Sequence, residues 1–84
     1  MPPITIYTKS WCGYCTRAKA LLARKGATFR EVEISDDPAL RDEMIQRAGG
    51  RRTVPQIFIG DTHVGGCDDL YQLESEGRLD ALLA

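Results

Sequence analysis

Short β-branched runs alternate with stretches of helical period along the 84 residues of this chain, and that alternation most narrows its fold. Ile4-Thr5-Ile6-Tyr7-Thr8 reads as a short strand buried on both faces. Residues 13–25 then place Cys15, Ala18, Leu21 and Leu22 at helical spacing, with Arg17, Lys19, Arg24 and Lys25 on the wet side and Gly26 as the stop. Residues 28–34 set Glu31 and Glu33 against Val32 and Ile34, the period of a half-exposed strand. Ser35-Asp36-Asp37-Pro38 opens a second helix that carries Leu40, Met44 and Ile45 inward and ends at Gly49-Gly50. Gln56-Ile57-Phe58-Ile59, a Gly60-Asp61 turn and Thr62-His63-Val64 read as a hairpin. A last helix starts around Cys67, carries Leu70, Tyr71 and Leu73, and stops at Gly77, with one more helical turn over 79–83. The order is β-α-β-α-β-β-α. Strands separated by helices pair in parallel through a right-handed crossover, and the hairpin completes a mixed sheet.

Composition removes whole classes of function. Hydrophobic residues at 43% and charged residues at 27% are those of a folded globule rather than a disordered tail. Eleven basic against twelve acidic residues leave a net charge of −1, without the basic excess of a nucleic-acid binder. The apolar runs are far short of the roughly 18 residues of a membrane span, and no secretory signal pattern opens the chain. The expectation is one soluble, cytoplasmic domain over residues 1–84. Three cysteines cannot all pair within one chain, which argues against a secreted disulfide scaffold.

Two of those cysteines, in Cys12-Gly13-Tyr14-Cys15, fall between the first strand and the first helix. A sulfur at a helix N-terminus faces unpaired N–H groups and the positive end of the helix dipole, which favour the nucleophilic thiolate. Cys12 is expected to be that sulfur, with Lys9 adding positive charge nearby. Cys15 lies one turn in, on the face of Ala18 and Leu22, and is expected to be buried and to act as the resolving thiol. Other readings stay open at this point. The pair also reads as half of a zinc site completed by His63 and Cys67, spaced C-x2-C and H-x3-C. His63 also reads as an ordinary strand or turn residue, and Cys67 as a small apolar filler.

Thr53-Val54-Pro55 before the third strand and Gly65-Gly66-Cys67-Asp68-Asp69 before the last long helix complete a pattern. With Tyr7-Thr8-Lys9 leading into the cysteine motif, the chain from about Ile4 to Leu83 resembles the dithiol glutaredoxins, especially the short bacterial glutaredoxin 3 type. The resemblance implies a thioredoxin fold with a four-stranded mixed sheet flanked by helices. It also implies a glutathione-dependent enzyme that reduces protein–glutathione mixed disulfides and protein disulfides, with Cys12 and Cys15 as its catalytic pair. Pro55 would be cis, presenting the backbone of Val54 to the cysteinyl unit of glutathione as to an added strand.

Glutathione's charged ends select the other expected contacts. Lys9 and Arg41 would meet the glycyl carboxylate, and Gly66 with the N–H groups around Cys67, Asp68 and Asp69 the γ-glutamyl carboxylate. Asp69 would also meet the amino group, while Thr53 and Tyr14 form the rim of the groove. Asp68 and Asp69 also suit plain helix capping.

One departure carries an alternative. Gly13 stands where these glutaredoxins usually have proline, and some members lacking that proline hold a [2Fe–2S] cluster between two monomers. The chain is therefore expected to be a monomer unless it binds such a cluster, and no resident metal is expected on one chain. Trp11-Cys12-Gly13 also matches the start of the thioredoxin motif, although Tyr14 breaks that match. A thioredoxin-like protein reduced directly by a flavoprotein reductase is the remaining alternative.

Overall fold

A computed structural model describes residues 1–84. The elements in chain order are β1 (Ile4–Thr8), α1 (Gly13–Arg24), β2 (Arg30–Glu33), α2 (Pro38–Arg47), β3 (Gln56–Ile59), β4 (Thr62–Gly65), α3 (Cys67–Ser75) and α4 (Leu79–Leu83). The strands form one sheet in the order β2-β1-β3-β4. β1 runs parallel to β2 and antiparallel to β3, and β3 and β4 form the hairpin. This is the expected thioredoxin fold, with the 79–83 turn realised as a short fourth helix.

Helix boundaries follow local chemistry. Asp37 caps α2 by accepting the Leu40 N–H at 3.1 Å, and Pro38 begins the first turn, where its missing N–H costs nothing. Gly26 takes the left-handed backbone just beyond α1, with φ of 71°. The second strand is shorter than its sequence pattern. Its pairing with β1 runs from Arg30 opposite Thr5 to Glu33 opposite Thr8, and Thr28, Phe29 and Ile34 stay outside the ladder.

The sheet separates two apolar layers by the period of two along each strand. Ile4, Ile6, Ile57 and Ile59 face α1, α3 and α4, where Ala18, Leu21, Leu22, Leu70, Leu79 and Leu83 pack against them. Tyr7, Val32 and Phe58 point the other way, toward Met44 and Ala48 of α2. That second layer is thinner and has a polar edge. The buried Tyr7 hydroxyl donates to Glu43 at 2.6 Å and accepts from Arg47 at 2.7 Å. The Arg47 guanidinium also lies 4.3 Å from the Phe58 ring centroid.

Strand direction determines where the sequence motifs meet. Tyr7, near the end of β1, pairs with Gln56 at the start of β3, and Ile57 pairs with Gly65 at the end of β4. The segments after β1, before β3 and after β4 therefore share one end of the sheet.

Candidate active site

Cys12 is the N-cap of α1, in extended backbone, and its Sγ accepts the N–H of Cys15 at 3.2 Å. Its thiol also lies 4.0 Å from the carbonyl oxygen of Val54, at the sulfur limit of a hydrogen bond. Negative charge on this sulfur would meet an N–H donor and the open end of a 12-residue helix. Cys12 is half-buried and reachable from solvent, whereas Cys15 is 2% exposed. Burial, and then the neighbouring Cys12 sulfur, push the Cys15 thiol up to about 12. The two thiols thus differ in access, and burial disfavours the ionised form of Cys15.

The chain leading into Cys12 is held on both sides. Ser10 receives Ser35 Oγ on its N–H at 2.8 Å and donates its own hydroxyl to Glu33 at 2.5 Å. Between that anchor and the helix, Trp11 takes φ of 61°, the single non-glycine residue at positive φ. Its indole is fully exposed, and Tyr14 is 58% exposed on the other side of Cys12.

A groove of about 300 Å³ lies beside this pair. Its walls are Tyr14, Arg51, the Thr53-Val54-Pro55 segment and Gly66-Cys67-Asp68-Asp69 at the start of α3. The Val54–Pro55 bond is cis. Neither the N–H nor the C=O of Val54 pairs with another backbone group of the chain; the C=O meets only the Cys12 thiol at 4.0 Å, which leaves this backbone able to meet an extended peptide.

The far wall is organised by Asp69. Its Oδ2 accepts the Gly66 N–H at 2.8 Å and an Arg51 N–H at 3.2 Å. The Gly66 N–H and then Arg51 hold its carboxyl below the usual carboxylate range, against the opposing effect of burial. Gly65, rather than Gly66, is the glycine this wall requires. Its φ is 112°, and a Cβ there would collide with the Asp69 carboxylate and sit 2.6 Å from the Arg51 guanidinium. A Cβ on Gly66 would meet the Pro55 oxygen at 3.5 Å, Arg51 at 3.6 Å and Asp69 at 3.7 Å, all ordinary contacts.

Of the residues expected from sequence, Tyr14, Thr53, Val54, Pro55, Gly66, Cys67, Asp68 and Asp69 share this groove, and Cys12 borders it through Val54. Lys9 and Arg41 do not line it. Lys9 is exposed beyond β1, and Arg41 is half-buried in the first turns of α2. Cys67 is on the wall but 4% exposed, and burial raises its thiol above the ordinary value. His63 is engaged with Gln56 at 2.8 Å and stacked on Phe58, so it is not gathered with the cysteines. No three His, Cys, Asp or Glu side chains cluster in metal-binding geometry.

Two contributors were missed from sequence. Arg51 lies in an irregular Gly-Gly-Arg-Arg stretch and gives no local signal of pairing with a residue 18 positions on. Gln56 reads as the first residue of a strand, and nothing local reveals that its side chain turns back to Thr53.

Comparison with known proteins bears on this arrangement. The sequence model of the glutaredoxin family matches residues 4–64. The glutaredoxin of Pseudomonas aeruginosa is 60% identical over 84 residues, covering 100% of this chain and 99% of the relative. Glutaredoxin 3 of Escherichia coli is 58% identical over 83 residues, covering 99% of each. Among solved structures, a buckwheat glutaredoxin–glutathione complex superposes with a TM-score of 0.87 at 35% identity, over 98% of this chain and 76% of that one.

Proposed function

This chain belongs to the glutaredoxin family, and on that premise we propose how its own residues carry out glutathione-dependent thiol–disulfide exchange. The observation that carries the reading is a reachable Cys12 sulfur at a helix N-terminus, beside the Val54 backbone on the wall of a groove of about 300 Å³. A mixed disulfide docks with its glutathionyl cysteine extended along Val54, forming N–H···O bonds as a strand would. Asp69 and the N-terminus of α3 receive the α-amino and α-carboxylate groups of the γ-glutamyl end, with Arg51 beside them. Lys9 and Arg41, outside the groove walls, remain candidates for the glycyl carboxylate, through the reach of their long side chains.

The Cys12 thiolate then attacks the glutathione sulfur. The Cys12–glutathione disulfide forms as the protein–glutathione bond breaks, and the protein sulfur leaves as thiolate and takes up a proton. A second glutathione thiolate attacks the glutathionyl sulfur on Cys12, producing glutathione disulfide and restoring Cys12. With a protein disulfide, Cys12 first joins one protein sulfur and releases the other. Cys15, after giving up its proton, then attacks the Cys12 sulfur and frees the protein. Part of the resistance of Cys15 to ionisation comes from the neighbouring Cys12 thiol, and that part is removed when Cys12 is held in a mixed disulfide. Glutathione finally reduces the Cys12–Cys15 bond.

The partners are therefore glutathione and glutathionylated or disulfide-bonded proteins, and the working compartment is a reducing cytoplasm where a glutathione pool is maintained. No helix is long and apolar enough to cross a membrane. We read residues 1–84 as one domain acting as a monomer. The test is turnover of a glutathionylated peptide: wild type should be active and Cys12→Ser inactive. Full activity of Cys12→Ser would end the assignment.

Gly13 supports a second reading. A Cβ at that position would meet nothing within 4 Å, so the chain beside Cys12 is open to a second copy. A [2Fe–2S] cluster needs four ligands. One chain offers a single reachable sulfur, Cys12, since Cys15 and Cys67 are buried. The donor set fits only as Cys12 from each of two chains plus two glutathione thiols. Visible absorption bands after anaerobic reconstitution with glutathione, with dimerisation in solution, would support it. Their absence would leave the monomeric enzyme alone.

A further inference from the structure

The mechanism above leaves one buried polar group unused. Gln56 opens β3 on the α2 side of the sheet and is wholly buried, yet no atom of its amide lacks a partner. Its Nε2 donates to the Thr53 carbonyl at 3.0 Å and to Thr53 Oγ1 at 3.2 Å. Its Oε1 lies 2.8 Å from His63 Nε2. The orientation of the amide is imposed by Thr53: turned over, it would set its oxygen against the Thr53 carbonyl oxygen. Oε1 must therefore accept, and His63 must carry its proton on Nε2. His63 is itself located by stacking on Phe58, with centroids 4.8 Å apart.

These contacts tie the last residue before the docking segment to the middle of the sheet. Thr53 is exposed, and its carbonyl would otherwise be free to turn to solvent or toward the groove. The Thr53 carbonyl shares its peptide plane with the Val54 N–H, so holding it fixes the direction of that N–H, which has no backbone partner. We infer that Gln56 is a positioning residue for glutathione docking, holding Thr53 so that the Val54 backbone is preset for its peptide partner, with His63 holding Gln56. This rests on the reading of Thr53-Val54-Pro55 as the docking segment. Gln56 touches neither sulfur and does not itself line the groove, reaching it only through the wall residue Thr53, so its effect should appear in binding rather than in the exchange step.

The test compares wild type with Gln56→Met, which keeps length and burial, and Gln56→Glu, which keeps shape and loses the donors. KM and kcat are measured on a glutathionylated peptide, together with the rate of Cys12 alkylation by iodoacetamide and the Val54 amide hydrogen-exchange rate. Two lost hydrogen bonds translate to about a tenfold rise in KM in both variants, with faster Val54 exchange and alkylation within about twofold of wild type. A KM unchanged in a folded Gln56→Met, or alkylation falling in step with turnover, overturns the inference.

Should Gln56→Met fail to fold, His63→Phe keeps a ring stacked on Phe58 and removes the donor to Oε1. It should raise KM about threefold, with recovery in His63→Gln. An unchanged KM there overturns the inference equally. The exchange measurement needs no turnover. An inactive wild type would thus condemn the glutathione reading, while an unaltered Val54 exchange rate in the variants would condemn the role of Gln56.

Discussion

Two helix N-termini face each other across the groove, and each begins with a cysteine. Cys12 caps α1 and is half-buried, while Cys67 is the first residue of α3 and 4% exposed. Both sit at the positive end of a helix, so the dipole alone does not distinguish them. What differs is the partner at each end. At α1 the orphan N–H of Cys15 is met by the Cys12 sulfur, in a position a substrate can reach. At α3 the Gly66 N–H is met by the Asp69 carboxylate, and Cys67 turns inward to pack with Ile57 and Leu70 in the larger apolar layer. Burial holds the Cys67 thiol above its ordinary value. In the proposed mechanism one helix end reacts and the other binds. A cysteine at a helix start becomes a nucleophile only where the fold leaves its sulfur both capped and reachable.

The largest test of this contrast exchanges the roles of the cysteines. Cys12→Ser should abolish turnover of every disulfide substrate, whereas Cys67→Ala should leave the chemical step intact. Its cost should appear as about 1 kcal/mol of lost stability from a small cavity. Loss of the chemical step in Cys67→Ala, measured as single-turnover release from a glutathionylated peptide, would break the comparison. Cys15→Ser comes next. It should retain reduction of glutathionylated peptides and lose most reduction of protein disulfides, with the Cys12–protein mixed disulfide accumulating in mass spectra.

The binding end is sharpened by Asp69→Ala, which should raise KM for glutathione about tenfold, the cost of one charge-assisted hydrogen bond, with kcat little changed. Gly65→Ala should do at least as much harm. Its positive φ is strained for alanine, and the new methyl displaces Asp69 and Arg51 together. Because the Asp69 pKa lies below the ordinary carboxylate value, its part in stability is complete above that value and is lost only as pH falls through the depressed one.

The smallest effect is on stability in alkali. Folded Cys15 keeps its proton up to about 12, against an ordinary 9.0, while the unfolded chain releases it earlier. The stability contributed there is full below about pH 9 and drains as pH rises toward 12. Cys67 acts in the same direction. Denaturant midpoints measured across that range should fall for wild type and fall less for Cys15→Ala. Parallel slopes for the two would show that burial of Cys15 is not the cause.

Legibility followed sequence distance. The strand and helix order, the Asp37 cap, the Gly26 stop and the burial of Cys15 were readable because each depends on neighbours within a turn or two. The first strand's two buried faces were readable from its β-branched run. The true length of β2 was not, because it depends on which of its residues pair with β1, from Arg30 opposite Thr5 to Glu33 opposite Thr8. Arg51 and Gln56 stayed hidden for a related reason. Arg51 acts on a carboxylate in another element, and Gln56 acts backward on Thr53 while being held from β4. Which glycine of the Gly65-Gly66 pair the wall requires was also hidden, because steric need depends on φ and on what lies opposite, and both single out Gly65.

The sequence by itself determined the class of this protein: alternating elements, two cysteines at a strand–helix junction, and a ratio of charges that leaves no basic surface for nucleic acid. Those are properties of local pattern and composition. Only the tertiary structure decided that Cys67 is buried on the groove wall, which glycine is required and which arginine joins the groove. Each of those choices turns on the antiparallel pairing of β1 with β3 and β3 with β4, which brings three distant loops to one end of the sheet. Burial and donor geometry are created there, by residues that no local window of the chain contains.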